Sequence, residues 1–408
     1  MADKKLALRN VPRHRKKKEF FFVFLFSSIS MITILISSYL EKTPNVPTNL
    51  PIVYITCDRD IGKGRYRDCV IEVDYDSYIS EIRVRGNAKI KNDKKGYRFQ
   101  LSQSASLLGM RTDDDWQLFA MYNDYTYMRT KLAFDLWRSL EPTNPTAILP
   151  DSEYVNVYLN GKYNGLYLLA EKNDRKLYGL DNPQNNSDSS FIFQCLPFND
   201  LRTYDKDTWE QDLPDPDDIN LLDKILPDLI SFISSSTDEE FLNSQSGIYS
   251  KFDKINLIDH FIFNYFILHG DYWANNFFIA RNTYPSKLFF IPWDFDGSFG
   301  QVIDNLYSPR ENPEAEIRGL SELYNRLLGN DEFRKACKDR WLYLRERIWT
   351  EDEIIDMVLD NYKEIKKSVE LDNEMYYPKL EVKDFIKALM EWIPDRLNYC
   401  DEYFTQNY

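Results

Sequence analysis

Apolar and polar side chains alternate along the early part of the chain. EIRVRG (81–86) alternates charged and apolar positions, and YRFQL (97–101) does the same. Residues 52–101 therefore read as strands, with the polar stretch NAKIKNDKKG as a turn between two of them. Residues 106–119 read as a loop followed by the short strand WQLF. The period then changes. In MRTKLAFDLWRSL (128–140), Met128, Leu132, Leu136 and Leu140 recur at steps of four, which predicts a helix that Pro142 prevents from continuing. Residues 153–170 predict a hairpin, because EYVNVYL and KYNGLYLLA flank Asn160-Gly161, the dipeptide favoured in a two-residue turn. Residues 199–223 hold nine Asp/Glu and read as a solvated acidic loop, with a calcium site as the sharper alternative. INLIDHFIFNYFIL (255–268) predicts a core helix, followed by strands at 277–281 and 287–291. Helical periods follow at 319–329, 331–349, 352–369 and 380–404. The expected class is α+β with two lobes, a strand-rich N-terminal part and a helical C-terminal part.

The N-terminus carries a different signal. Residues 1–18 hold eight Lys/Arg and one Asp, and residues 20–40 form an uncharged apolar run. At about 1.5 Å per residue, a helix of that length matches a hydrocarbon core of ~30 Å. The expected organisation is a basic cytoplasmic tail (1–19), a transmembrane or signal-anchor helix (20–40), a Pro-containing linker (41–51) and a folded domain (52–408). The basic flank places the domain outside the cytoplasm, anchored to the bilayer. Cleavage after Ser37 or Ser38, giving a secreted protein, is the rival reading, although no A-x-A site is present.

The whole chain carries a net charge of −14, so without residues 1–18 it carries −21. A body this acidic repels phosphate backbones, which argues against general nucleic-acid binding. The five Cys form no CxxC and only three His are present, so zinc-ligand spacing is lacking. Cys57 and Cys69 flank a short charged segment, as a disulfide across a hairpin or as two buried thiols. One basic island interrupts the acidic body. Arg83, Arg85, Lys89, Lys91, Lys94, Lys95 and Arg98 lie within residues 83–98 beside one Asp. They read as phosphate contacts or as a solvated hairpin edge. Arg85 and Arg98 are the better candidates, since they sit on expected strands among apolar neighbours.

The chemistry concentrates after the core helix. HGDYWANN (269–276) places Asp271 and Asn276 with four residues between them, a hairpin follows, and PWDFDGSFG then brings Asp294 and Asp296. Protein kinases use these parts in this order: an Asp that orients the substrate hydroxyl, an Asn that binds metal, and a second metal-binding Asp after a hairpin. Hard carboxylate and amide oxygens suit Mg²⁺ or Mn²⁺. No GxxxxGK[ST], GxGxxG or GxSxG is present, which argues against P-loop, dinucleotide and Ser-hydrolase sites.

Four segments occur in an order similar to the successive signatures of the CotH kinase family. They are RVRGNAKIKNDKKGYRFQL, then SLLGM with DDDWQLFAMYND and MRTKLAFDL, then VNVYLNGKYNGLYLLAEKNDR, and finally IPWDFDGSFG. The resemblance implies an atypical protein-kinase-like fold and transfer of phosphate from ATP, with Mg²⁺ or Mn²⁺, to Ser/Thr of an envelope or surface protein. In the spore-forming bacteria that name the family, coat proteins are the substrates. It implies Asp271 as the catalytic-loop Asp and Asp294 as a metal ligand. Asn276 follows by kinase analogy, with Asn275 as its alternative, and Asp296 is a second ligand or a turn cap. Arg85, Arg98, Arg129 and Glu171 are the candidates for the nucleotide, Glu171 standing where a kinase hinge begins. His269 occupies the place of a structural His. The chain departs from the family at Gln100, where members commonly carry a basic residue, and Arg98 is the candidate substitute. Two other functions compete. One is an envelope scaffold or adhesion module that keeps the fold without turnover, favoured by Gln100 and by the scarcity of ATP outside the membrane. The other is a polysaccharide-cleaving enzyme, for which Asp294 and Asp296 lie too close on one turn to flank a glycosidic bond.

Overall fold

The computed structural model describes residues 49–86, 92–196, 201–270, 275–301, 312–315 and 321–406. Nearly all of the segment assigned to the tail, apolar helix and linker, residues 1–48, lies outside them, as does Asp271. Among the described residues no helix is long and apolar enough to cross a membrane.

The early strands close into a barrel. They are β1 (Ile52–Cys57), β2 (Arg67–Val73), β3 (Asp76–Val84), β4 (Tyr97–Ser106), β5 (Thr112–Phe119), β6 (Ser152–Leu159) and β7 (Lys162–Glu171), in the order β1-β2-β3-β4-β5-β7-β6. All neighbours are antiparallel except β1 and β6, which run parallel and close the ring, with Ile52 opposite Asn156. Helix α1 (Arg129–Arg138) lies between β5 and β6 in sequence. Alternation sends Val53, Ile55, Ile71, Ile82, Phe99, Trp116, Val155, Val157, Tyr167 and Leu169 into the barrel, where they form a separate apolar core. At the β6–β7 turn Asn160 and Gly161 take φ of 49° and 75°, as the dipeptide predicted. The other face of this hairpin is also covered, because Tyr154, Leu166, Leu168 and Ala170 belong to the second core. The chain is pinned to the barrel slightly before the expected edge at residue 52: Leu50 is buried, and the Pro51 carbonyl accepts from Asn156 N at 2.9 Å.

The second half surrounds an antiparallel sheet. Its strands are β8 (Phe191–Cys195), β9 (Trp209–Leu213), β10 (Phe277–Arg281) and β11 (Leu288–Pro292), in the order β11-β10-β8-β9. The helices are α2 (Leu222–Ser235), α3 (Lys254–Phe266), α4 (Glu322–Leu328), α5 (Asp331–Arg347), α6 (Glu351–Tyr376) and α7 (Val382–Gln406), with single turns at Asp238–Phe241 and Ile248–Lys251. The acidic stretch 199–223 is not simply a loop. Within it, Trp209 and Gln211 point inward and pair with β8, so β9 forms despite the flanking carboxylates.

Helix α3 is buried on every side from Asn256 to Phe266. A helix so placed must satisfy its polar groups internally. Asp259 receives Arg340 Nε at 2.7 Å, Arg340 Nη2 at 2.9 Å and Asn144 Nδ2 at 2.9 Å. Asn256 joins β11, its Nδ2 donating to Phe290 O at 3.1 Å and its Oδ1 accepting from Phe290 N at 2.7 Å. His260 Nδ1 meets Tyr324 Oη at 2.8 Å. The α3 scaffold thus fixes both β11 and the chain that leaves its own C-terminus, the two strands of chain that build the site.

Candidate active site

The segment after α3 and the turn after β11 come together. His269, buried, is held by Asn264, through Nδ1 to Oδ1 at 2.9 Å and through its backbone N–H to the Asn264 carbonyl at 3.0 Å. Its Nε2 lies 3.1 Å from the Asp294 carbonyl. Beside it, Trp293 N donates to the Asn276 carbonyl at 2.8 Å. Phe299 N donates to Ile267 O at 2.7 Å. Asn276 and Asp294 both adopt left-handed backbone conformations, with φ of 59° and 62°. A non-glycine residue persists there only where its surroundings hold it, and such residues cluster at functional sites. Asp294 alone in residues 291–299 is exposed, while Phe295 packs against Phe134, Phe263 and His269. The turn is therefore anchored by buried aromatics and lifts one carboxylate out of them.

The barrel presents a cation to this turn. The Arg85 guanidinium lies 3.8 Å above the Phe119 ring, and Phe119 touches Trp293 with centroids 6.1 Å apart. Enclosure by protein lowers the Arg85 pKa to about 10; Asp294 and, more weakly, Asp296 oppose that fall, and Arg98 adds to it. Arg85 thus senses both carboxylates of the turn. Arg98, one strand away, pairs with Asp115 at 3.3 Å, and Lys172 meets the same carboxylate at 3.1 Å. Gln100 donates to Asp114 at 3.3 Å, on the outer face it shares with Arg98.

Asp212, exposed on β9, faces Lys172 and Arg98 electrostatically, yet the protein packed around it and Glu210 outweigh these two cations and raise its pKa to about 6. No feature of the sequence singled it out, since it was one of nine acids in an apparent loop.

Two candidates have their polar atoms engaged inside the protein. Arg129 is buried, with Nη1 on Asp124 Oδ1 at 2.7 Å and Thr126 Oγ1 at 3.0 Å, and Nε on the Ser298 carbonyl at 3.0 Å. It ties the start of α1 to the end of the Asp294 turn. Glu171 is buried too, its two oxygens accepting from Arg111 N and Asp151 N at 3.0 Å each. It closes the end of β7. From the basic island, Lys94 is withdrawn as well. It is fully buried against Asp372 at 2.7 Å and ringed by Tyr127, Tyr167 and Tyr376. Gly165 is required there, because a Cβ would overlap Asp372.

Among the described residues no three His, Cys, Asp or Glu side chains lie close enough to hold a metal. The described donors at the turn are the carboxylates of Asp294 and Asp296 and the amide of Asn276, all hard oxygens suited to Mg²⁺ or Mn²⁺.

The segment after α3 and the turn after β11 are thus joined by hydrogen bonds, with Arg85 of the barrel beside the turn. The sequence profile of the CotH kinase protein family matches residues 82–400, and the chain belongs to that family. It is 24% identical to the inner spore coat protein H of Bacillus subtilis (strain 168) over 385 residues, covering 90% of this chain and 99% of that protein. Among solved structures, a Helicobacter pylori proinflammatory kinase, CtkA, aligns with 88% of this chain and 97% of its own at 12% identity and a TM-score of 0.34. The Golgi casein kinase aligns with 92% of this chain and 75% of its own at 12% identity and a TM-score of 0.27.

Proposed function

We propose that the protein is an ATP-dependent protein kinase that phosphorylates Ser or Thr of a surface or envelope protein. The observation that supports this most is the Asp294 turn: an exposed carboxylate on a strained, anchored backbone, opposite Arg85 and next to Trp293, whose N–H donates to the Asn276 carbonyl. In this reading Asp294, Asn276 and Asp296 hold Mg²⁺ or Mn²⁺, which when bound neutralises charge on the ATP phosphates. Arg85, assisted by Arg98, binds phosphate oxygens from the barrel side. Asp271 orients the substrate hydroxyl and accepts its proton as oxygen bonds to the γ-phosphorus and ADP leaves. His269 and Arg129 position the turn without touching substrate.

The name of the Bacillus relative favours a spore-coat or surface protein as substrate. The basic tail and apolar run of residues 1–40 favour a body anchored at the bilayer and lying outside the cytoplasm, or secreted if that segment is cleaved. A second reading is a non-catalytic envelope scaffold. It is favoured by Gln100, which carries no charge for phosphate and engages Asp114 instead. Incubation with γ-labelled ATP, Mn²⁺ and a Ser/Thr-rich acceptor separates the two. Label transfer that Asp294→Asn and Asp271→Ala each abolish supports the kinase. Equal labelling by all three proteins overturns the assignment, and nucleotide binding without transfer favours the scaffold.

A further inference from the structure

Cys57 ends β1 and Cys69 lies opposite it in β2. The hydrogen-bonding direction of β1 settles what kind of pair this is. Asn156 N donates to Pro51 O, Asn160 N to Ile55 O, and Cys57 N donates to Asn160 Oδ1 at 2.8 Å. Odd-numbered residues of β1 thus turn their amides toward β6 and away from β2. Cys57 and Cys69 are therefore a non-hydrogen-bonded antiparallel pair, the arrangement in which facing Cα atoms approach to about 4.5 Å and side chains are closest. That separation falls within the range a disulfide spans, ~4.4–6.8 Å. The two thiols share a hydrogen bond that lowers the Cys57 pKa and raises that of Cys69.

We propose that Cys57 and Cys69 are an oxidisable pair that closes to a disulfide on meeting a small-molecule disulfide oxidant. The Cys57 thiolate attacks one sulfur of the oxidant and releases a thiol. Cys69 then attacks Cys57 Sγ in the mixed disulfide and releases the second thiol. Two protein thiols are oxidised and one oxidant disulfide is reduced to two thiols. Both are buried, but at 8% and 6% exposure they keep more contact with solvent than Cys195, Cys337 and Cys400 at 1%, 0% and 0%, and Cys57 is the last residue of β1 before the loop 58–66. The link would close the charged loop 58–66. That loop already holds the end of β3: Val84 N donates to Gly62 O at 3.0 Å, and the Arg83 guanidinium lies 5.1 Å from the Tyr66 ring centre. Arg85 follows directly, so oxidation would fasten the strand end that carries the cation facing Asp294.

The test uses the full chain, reduced, then exposed to oxidised glutathione, alkylated under native and denaturing conditions, and mapped by peptide mass. The expected product is a Cys57–Cys69 linked peptide, with the other three cysteines alkylated only after denaturation. The Cys69→Ser variant should trap glutathione on Cys57. Alkylation of both Cys57 and Cys69 after oxidant treatment, or stable glutathione on Cys57 in the unsubstituted protein, overturns the proposal. None of these readouts requires nucleotide binding, so failure here and failure of the kinase assignment are separable.

Discussion

Replacing Arg85 by Gln should move two affinities in opposite directions. In the protein without nucleotide, Arg85 is a counter-charge to Asp294 and Asp296. Removing it leaves two carboxylates with less competition for a bare divalent cation. Two unit charges ~6 Å apart interact by about 3 kcal/mol at an effective dielectric of ~20. Arg85 is half-buried, so solvent screening reduces this to about 1 kcal/mol, or a roughly fivefold gain in Mn²⁺ affinity. Nucleotide responds the other way. A charge-assisted bond to phosphate is worth ~1.5–3 kcal/mol, so ATP in the presence of Mn²⁺ should bind about 10–100-fold more weakly. Arg85→Lys should recover part of the ATP affinity, since it keeps charge but loses the planar fork and the stacking on Phe119. Isothermal titration with Mn²⁺ alone, then with ATP and Mn²⁺, reads both effects, and circular dichroism checks the fold. Weaker binding of both ligands in a folded variant, or no change in either, refutes the reasoning.

Two further outcomes follow from a buried ion pair and from a carboxyl with a raised pKa. Asp259→Ala leaves Arg340 buried without its paired oxygens and should cost about 3–5 kcal/mol in denaturant unfolding, whereas the double change Asp259→Leu with Arg340→Met should recover most of it. Asp212 has a folded pKa near 6, above an ordinary carboxyl near ~4, so the folded protein binds more protons between these values. Asp212 is exposed, so solvent screens most of this effect: stability should fall only slightly as pH rises from about 4 to 6, and Asp212→Asn should flatten that slope in thermal unfolding.

The parts legible in the sequence were those set by local chemistry. Asn160-Gly161 fixed the β6–β7 turn, and the strongly apolar run of 255–268 announced a core helix. The order from His269 through the hairpin to Asp294 was enough to expect the two segments to meet, and His269 and Asn276 now join that turn through backbone contacts. What stayed hidden depends on long separations. The barrel closes through Ile52 and Asn156, whose pairing no local pattern encodes. β9 was masked by the acids around Trp209 and Gln211. Arg129 looked like a free cation at a helix start because its partner carbonyl, Ser298, lies far along the chain. Lys94 resembled the turn lysines beside it until Asp372, from α6, supplied a buried counter-charge.

The central claim is that the turn after β11 and the segment after α3 grip one cation between them. Anomalous diffraction from crystals grown with Mn²⁺ and a non-hydrolysable ATP analogue tests it directly. The account predicts a manganese peak within bonding distance of Asp294 carboxylate and Asn276 amide oxygens, with analogue phosphates on the Arg85 side. A nucleotide seated elsewhere, or a cleft left empty at saturating ligand, would contradict it.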